Sequence, residues 1–138
     1  MSKQTFIVDT NVALRYFHTQ DKEQTALVSP YFENDEYHLV VTSEVLCEMA
    51  WVLKKTIKVG NAMIIGIMEA LVKSPNITIT NLPAVLFGIE FVKHNGDFAD
   101  GVIAHQALRY DNAKLLTFDK KAQKLARQLG VKIEVLNS

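Results

Sequence analysis

Two hydrophobic rhythms alternate along the chain. Short runs rich in β-branched and aromatic residues, "FIV" (6–8), "HLVV" (38–41), "ITIT" (77–80), "KLLTF" (114–118) and "KIEVL" (132–136), read as strands. Between them, apolar positions recur at helical spacing over about 10–18, 22–33, 43–57, 60–73, 83–94, 98–111 and 120–129. Strands separated by helices predict an α/β fold, with five mainly parallel strands in one central sheet and helices on both faces. Gly130 in "RQLGVKIEVL" predicts a helix end with a left-handed residue. Pro30, Pro75 and Pro83 fall at predicted helix ends or connections, where a missing N–H costs least. With no repeat or linker, residues 1–138 read as one domain.

One helix is wider in its apolar face than a core contact needs. In "NAMIIGIMEALVK", Met63, Ile64, Ile65, Ile67, Met68, Leu71 and Val72 span about 200° of the helical wheel, against the ~100° of a core-facing stripe. Two readings stay open: a second partner surface, or a helix buried deep inside its own domain. Composition narrows the class, because 49% hydrophobic and 22% charged residues exclude disorder away from the ends. Fifteen basic residues balance 15 acidic ones, so any polyanion must be held by local charge and not by the field of the whole molecule. The single cysteine, Cys47, excludes an internal disulfide, and the N-terminus lacks the longer apolar run of a signal peptide. The longest apolar stretch stops at Glu69, short of the ~20 residues that span a bilayer, so a cytoplasmic protein is expected.

The acids carry the chemistry. In an open parallel sheet, reactive groups gather at the carboxyl ends of the strands. Asp9 follows the first strand directly, with Thr10 and Asn11 behind it, and Asp119 follows the fourth, two residues after Thr117. Helix starts add Glu44 and Glu48, the latter expected to border the core, and Asp97 with Asp100 three residues later. Capping accounts for several of these one at a time: Asp97 as an N-cap with Asp100 reaching back, Asp119 as the cap of the last helix, Glu44 on a helix dipole. Asp9 fits that account least, because Thr10 and Asn11 already suffice as caps. Two carboxylates ~4 Å apart repel by about 4 kcal/mol at an effective dielectric near 20, so acids gathered at one edge either take up protons or bind a divalent cation. Oxygen ligands select a hard ion, Mg²⁺ or Mn²⁺. His18, His38, His94 and His105 show no His-x₃-His spacing and Cys47 has no partner, which argues against zinc.

Asp9-Thr10-Asn11 closing the first strand, Glu48 in "SEVLCEMAWVL", Asp100 in "DFADGVIAHQA" and Asp119 in "LLTFDKK" together resemble the PIN domain, most closely the VapC toxins of toxin–antitoxin pairs. The likeness runs in order through nearly the whole chain. Gly101 stands where Ala often follows the third acid, and Phe118 where many members carry a polar residue. The resemblance implies a three-layer α/β/α sandwich and hydrolysis of RNA to 3′-hydroxyl and 5′-phosphate ends. It also implies Mg²⁺, with Mn²⁺ substituting, bound by Asp9 and Asp100 and completed by Glu48 and Asp119, with Asp97 a further ligand. Asn11 and Thr117 would support the ligands from behind, although Asn11 equally fits a local cap. A small VapB-like antitoxin and a homodimer are the implied partners.

Substrate contact has to come from local cations. Arg15, Lys54, Lys55, Lys120, Lys121 and Lys124 qualify, each also readable as a solvated helix face. Tyr16, Phe17 and Trp51 have the chemistry to stack bases, but amphipathic helices place such residues in the core more often. A haloacid-dehalogenase-like phosphatase needs D-x-D, and the third position here is Asn11. A receiver-like signalling domain needs an Asp after the third strand and a Lys after the fifth, and "ITITNLP" and "EVLNS" supply neither. A PIN-fold nuclease of RNA maturation or decay, not a toxin, remains the nearest alternative.

Overall fold

Side-chain caps set where the helices begin. Asp9, Asp21, Thr42, Asp97 and Asp119 each accept a hydrogen bond from the N–H three residues on, which starts α1 (Thr10–Phe17), α2 (Lys22–Glu33), α3 (Ser43–Trp51), α6 (Phe98–Gln106) and α7 (Lys120–Gln128). α4 (Asn61–Lys73) and α5 (Leu82–Lys93) complete the helices, and the strands are β1 (Gln4–Ile7), β2 (Tyr37–Val41), β3 (Ile77–Ile79), β4 (Leu115–Thr117) and β5 (Ile133–Val135), in a computed structural model that describes residues 3–136. Every strand and helix expected from the periodicity forms. Two of the expected helices change type before they end: the 43–57 segment is π-helical over Val52–Ile57, and the 98–111 segment closes in a 3-10 turn at Ala107–Arg109. Gly130 takes φ 86°, and Val131 N–H bonds to Ala126 O while Gly130 N–H bonds to Arg127 O, the hydrogen-bond pair of a Schellman end.

The single five-stranded sheet does not form. Among the described residues, β1, β2 and β3 make one parallel sheet in the order β1-β2-β3, and β4 pairs with β5, also in parallel, in a second sheet. Apolar periodicity reports which face of a strand is buried, not which edge it pairs with. β4 and β5 bury Leu115 and half-bury Ile133 against α7, so helix packing holds the pair without a ladder to β1.

Two hydrophobic clusters follow from this division. The larger packs β1 to β3 under α1, α3, α4 and α5, with Leu39, Val41, Leu46, Met49, Leu53, Met68 and Leu71 fully buried. The smaller joins Phe91, Ala104, Leu115, Leu125, Ala126 and Val131. α5 serves both, giving Val85, Ile89 and Val92 to the first and Phe91 to the second. The wide face of α4 is mostly taken up inside the domain: Ile64, Ile67, Met68 and Leu71 are buried, Ile65 and Val72 pack against the core, and Met63 stays exposed.

α5 and α6 cross at two glycines. A Cβ on Gly101 would lie 2.7 Å from both Gly88 Cα and Phe87 O, so the missing side chain lets the helix carrying Asp100 sit against α5. Gly101→Ala is therefore expected to destabilise the protein by about 1–3 kcal/mol, the scale of an overpacked core. Urea unfolding measures this, and an unchanged midpoint would mean that α5 and α6 separate freely.

Candidate active site

Beside the smaller cluster lies a pocket of about 350 Å³, walled by Lys54, Lys55, Phe91, Asn95, Gly96, Asp97, Asp100, Asp119, Lys121 and Ala122. Local chain geometry brings these together. Just past the end of α5, Asn95 takes the left-handed region at φ 63°, and Asn95 and Gly96 N–H bond back to Val92 O and Phe91 O, so the chain reverses and Asp97 caps the start of α6. From the other side, Asp119 N–H donates to Thr117 Oγ1 at 3.1 Å, and Gln123 Nε2 donates to Thr117 O at 2.7 Å, fixing the β4–α7 corner. Lys54 and Lys55 arrive from the π-helical turn after α3.

Capping and ligation are compatible here. Asp97 Oδ1 accepts from Asp100 N–H at 3.0 Å and Asp119 Oδ1 from Ala122 N–H at 2.9 Å, which leaves each carboxylate a second oxygen. The expected capping box is absent: the Asp100 carboxylate does not reach back, and it accepts no hydrogen bond from any described residue. Its carboxyl is pushed up to about 6 by burial, then by the charges of Asp97 and Asp119, with Lys54 opposing. Cys47, half-buried on α3, is pushed up to about 11 by burial, then by the charges of Asp97 and Glu44. Its thiol stays protonated and is no nucleophile.

The structure unites only part of the expected acidic set. Asp97, Asp100 and Asp119 share the pocket, while Asp9 lines a separate groove of about 250 Å³ with Asn11, Val12, Arg15, Gln24, Leu27 and Val28. Asp9 is itself the N-cap of α1, accepting from Val12 N–H at 3.0 Å, a correction to the reading that Thr10 and Asn11 would cap; Thr10 is buried in the first turn and Asn11 is exposed, with no hydrogen bond to Asp9. Glu48, expected at the core border, is exposed on α3, which packs against both α1 and α6. Glu44 accepts from Ser43 Oγ at 2.6 Å. Of the cations, Lys121 lines the pocket and donates to Asn95 O at 2.8 Å, Lys120 is exposed, and Arg15 donates to Gln24 Oε1 in the Asp9 groove. Tyr16 and Phe17 pack with Phe32, as core aromatics do, while Trp51 is exposed. Asn95 and Gln123 carry little sequence signal; a polar residue on the otherwise apolar face of α7 is the one trace of Gln123.

The donors suit a hydrated hard cation. Among the described residues, no three His, Cys, Asp or Glu side chains form a group ready to hold a metal ion. Mg²⁺ typically keeps several waters and takes one or two carboxylates plus substrate phosphates, which is what an under-bonded Asp100 beside the spare oxygens of Asp97 and Asp119 offers.

Neither the curated proteins nor the solved structures contain a match to the chain. The PIN domain matches residues 6–128, from within β1 to the end of α7, and the chain therefore belongs to the PIN domain family.

Proposed function

We propose that the chain is a Mg²⁺-dependent endoribonuclease of the cytoplasm and the toxin of a VapC-type toxin–antitoxin pair. PIN domains are generally metal-dependent nucleases. The observation that carries the reading to this chain is one pocket that joins three carboxylates, Asp97, Asp100 and Asp119, to three lysines, Lys54, Lys55 and Lys121. A bound divalent ion supplies an acidified water and neutralises charge on the leaving oxygen. Asp100 is its principal ligand, since neither of its oxygens is engaged by a described donor; Asp119 and Asp97 offer their uncapped oxygens, and Asp9 and Glu48 complete the set from the end of β1 and from α3. Thr117 holds Asp119 in place through the backbone, and Asn11, which makes no hydrogen bond to Asp9, would reach a metal-bound water beside it. Lys54, Lys55 and Lys121 hold the phosphate, with Arg15 and Lys120 beyond them. The products are a 3′-hydroxyl and a 5′-phosphate.

The toxin role is supported by the likeness to VapC and by an apolar groove of about 250 Å³ lined by Phe6, Ile7, Val12, Val28, Tyr31 and Leu39, which suits a protein partner such as an antitoxin or a second copy. No helix among the described residues is long and apolar enough to cross a membrane. Induced expression is expected to arrest growth and cleave RNA, with rescue by the product of a small adjacent reading frame. Harmless expression with intact RNA would sink the toxin role and favour an RNA-processing nuclease, which a purified-protein cleavage assay then tests separately.

A further inference from the structure

α7 begins at the carboxylate pocket, and its outer face has a composition that packing does not require. Lys120, Lys121, Lys124 and Arg127 are exposed while Ala122, Leu125 and Ala126 are buried, and the helix carries no acid. Among the described residues, Lys93 and Lys114 form ion pairs and none of these four cations does. Lys120 and Lys121 also occupy the first turn, at the positive end of the helix dipole, where a cation is unfavourable until an anion arrives. Lys120, Lys124 and Arg127 are spaced by four and then three residues, so they share one stripe that rises about 6 and then 4.5 Å away from Asp119. Where that stripe starts stands Phe118, 69% exposed, just after β4, with Leu116 of β4 also exposed. Six other aromatic residues pair with one another, Phe6, Tyr16, Phe17, Tyr31, Phe32 and Tyr37, but Phe118 pairs with no described ring.

We propose that Phe118 and the stripe of Lys120, Lys124 and Arg127 form a track for single-stranded RNA leading out of the carboxylate pocket. Phe118 stacks on a base next to the scissile phosphate, and the stripe holds the phosphates that follow. An exposed ring beside a row of unpaired cations is the combination that binds single strands, whose bases are free to stack, whereas a duplex hides its base faces. Because the chain has no net charge, this stripe and the pocket lysines must supply the attraction. The track rests on the nuclease reading but is tested apart from it.

The test measures binding of the full chain to a labelled single-stranded RNA oligomer and to its duplex, by fluorescence anisotropy in EDTA over a salt series. Phe118→Ala is expected to weaken single-strand binding about five- to 150-fold, the worth of one base–aromatic stack, without changing the salt slope or duplex binding; Phe118→Trp restores it. Replacing Lys120, Lys124 and Arg127 together by Gln is expected to lower the slope of log K against log salt by about 2. Wild-type affinity and slope in both variants, or no single-strand binding by the wild type, overturns the track. So does a change in oligomeric state of Phe118→Ala by light scattering with RNA binding unchanged, which would assign the surface to a second copy. Cleavage of the same oligomer by the wild type in Mg²⁺ reads the nuclease independently: cleavage with unaltered binding in the variants sinks the track alone.

Discussion

Asp100→Asn is expected to lower RNA cleavage by at least about 10²–10³-fold, the scale of removing one preorganised electrostatic group, while making the metal-free protein more stable at neutral pH. Both effects have one cause. The Asp100 carboxylate is half-buried, lacks a hydrogen bond from any described residue, and faces Asp97 and Asp119. Its carboxyl rises from 3.8 to about 6 in the folded protein, so between these values the folded state binds more protons than the unfolded one. Stability then falls as pH rises through that window, and the loss is complete above about pH 6. Asn keeps the shape and removes the charge, so in EDTA the variant should melt above the wild type at pH 7 and show a flatter Tm profile between pH 4 and 6. Cleavage assays and melting curves on the same samples check the pair. A variant that is equally active, or less stable in EDTA at pH 7, would mean that Asp100 is a structural acid.

Metal should offset that loss of stability. At a free Mn²⁺ or Mg²⁺ concentration ten times Kd, the wild type is expected to gain about 1.4 kcal/mol, or ~4–6 °C in Tm for a chain of this length, and Asp9→Asn with Asp100→Asn much less. Equal shifts in the two proteins would remove the metal site from the pocket. The single variant Asp9→Asn carries a separate question, because Asp9 lines its own groove and caps α1. Its loss as a cap costs little when Asn, itself a good N-cap, replaces it, so a diminished metal shift reports ligation and not helix fraying. If Asp9→Asn keeps the full shift, the ion is held by the Asp97, Asp100 and Asp119 side alone.

Local physics was legible wherever it is written in consecutive residues. The spacing of apolar positions located every strand and helix, Gly130 marked the end of α7, and Asp97 and Asp119 were readable as caps. The same locality misled at Asp9, where the side chain preferred for ligation turned out also to be the cap, because an Asp carboxylate has two oxygens and needs only one for the helix. Glu48 shows the limit of the helical wheel: an angle of burial near the core edge does not settle whether a neighbour covers the side chain, and it is exposed.

The sequence by itself determined the elements, their order and the identity of the acids and cations, since each of these depends on periodicity, capping or charge within a few residues. Only the tertiary structure decided which of them meet. Edge pairing is a long-range choice, and it divides the strands into two parallel sheets, each held under its own hydrophobic cluster. The contact of α5 with α6 through Gly88 and Gly101, and the reversal at Asn95, bring Asp97 and Asp100 to Asp119 across more than a dozen intervening residues, while Asp9 lines a groove of its own. Phe118 belongs to the same category: whether an aromatic residue beside a strand is core or surface depends on what covers it, and here nothing in the described chain does.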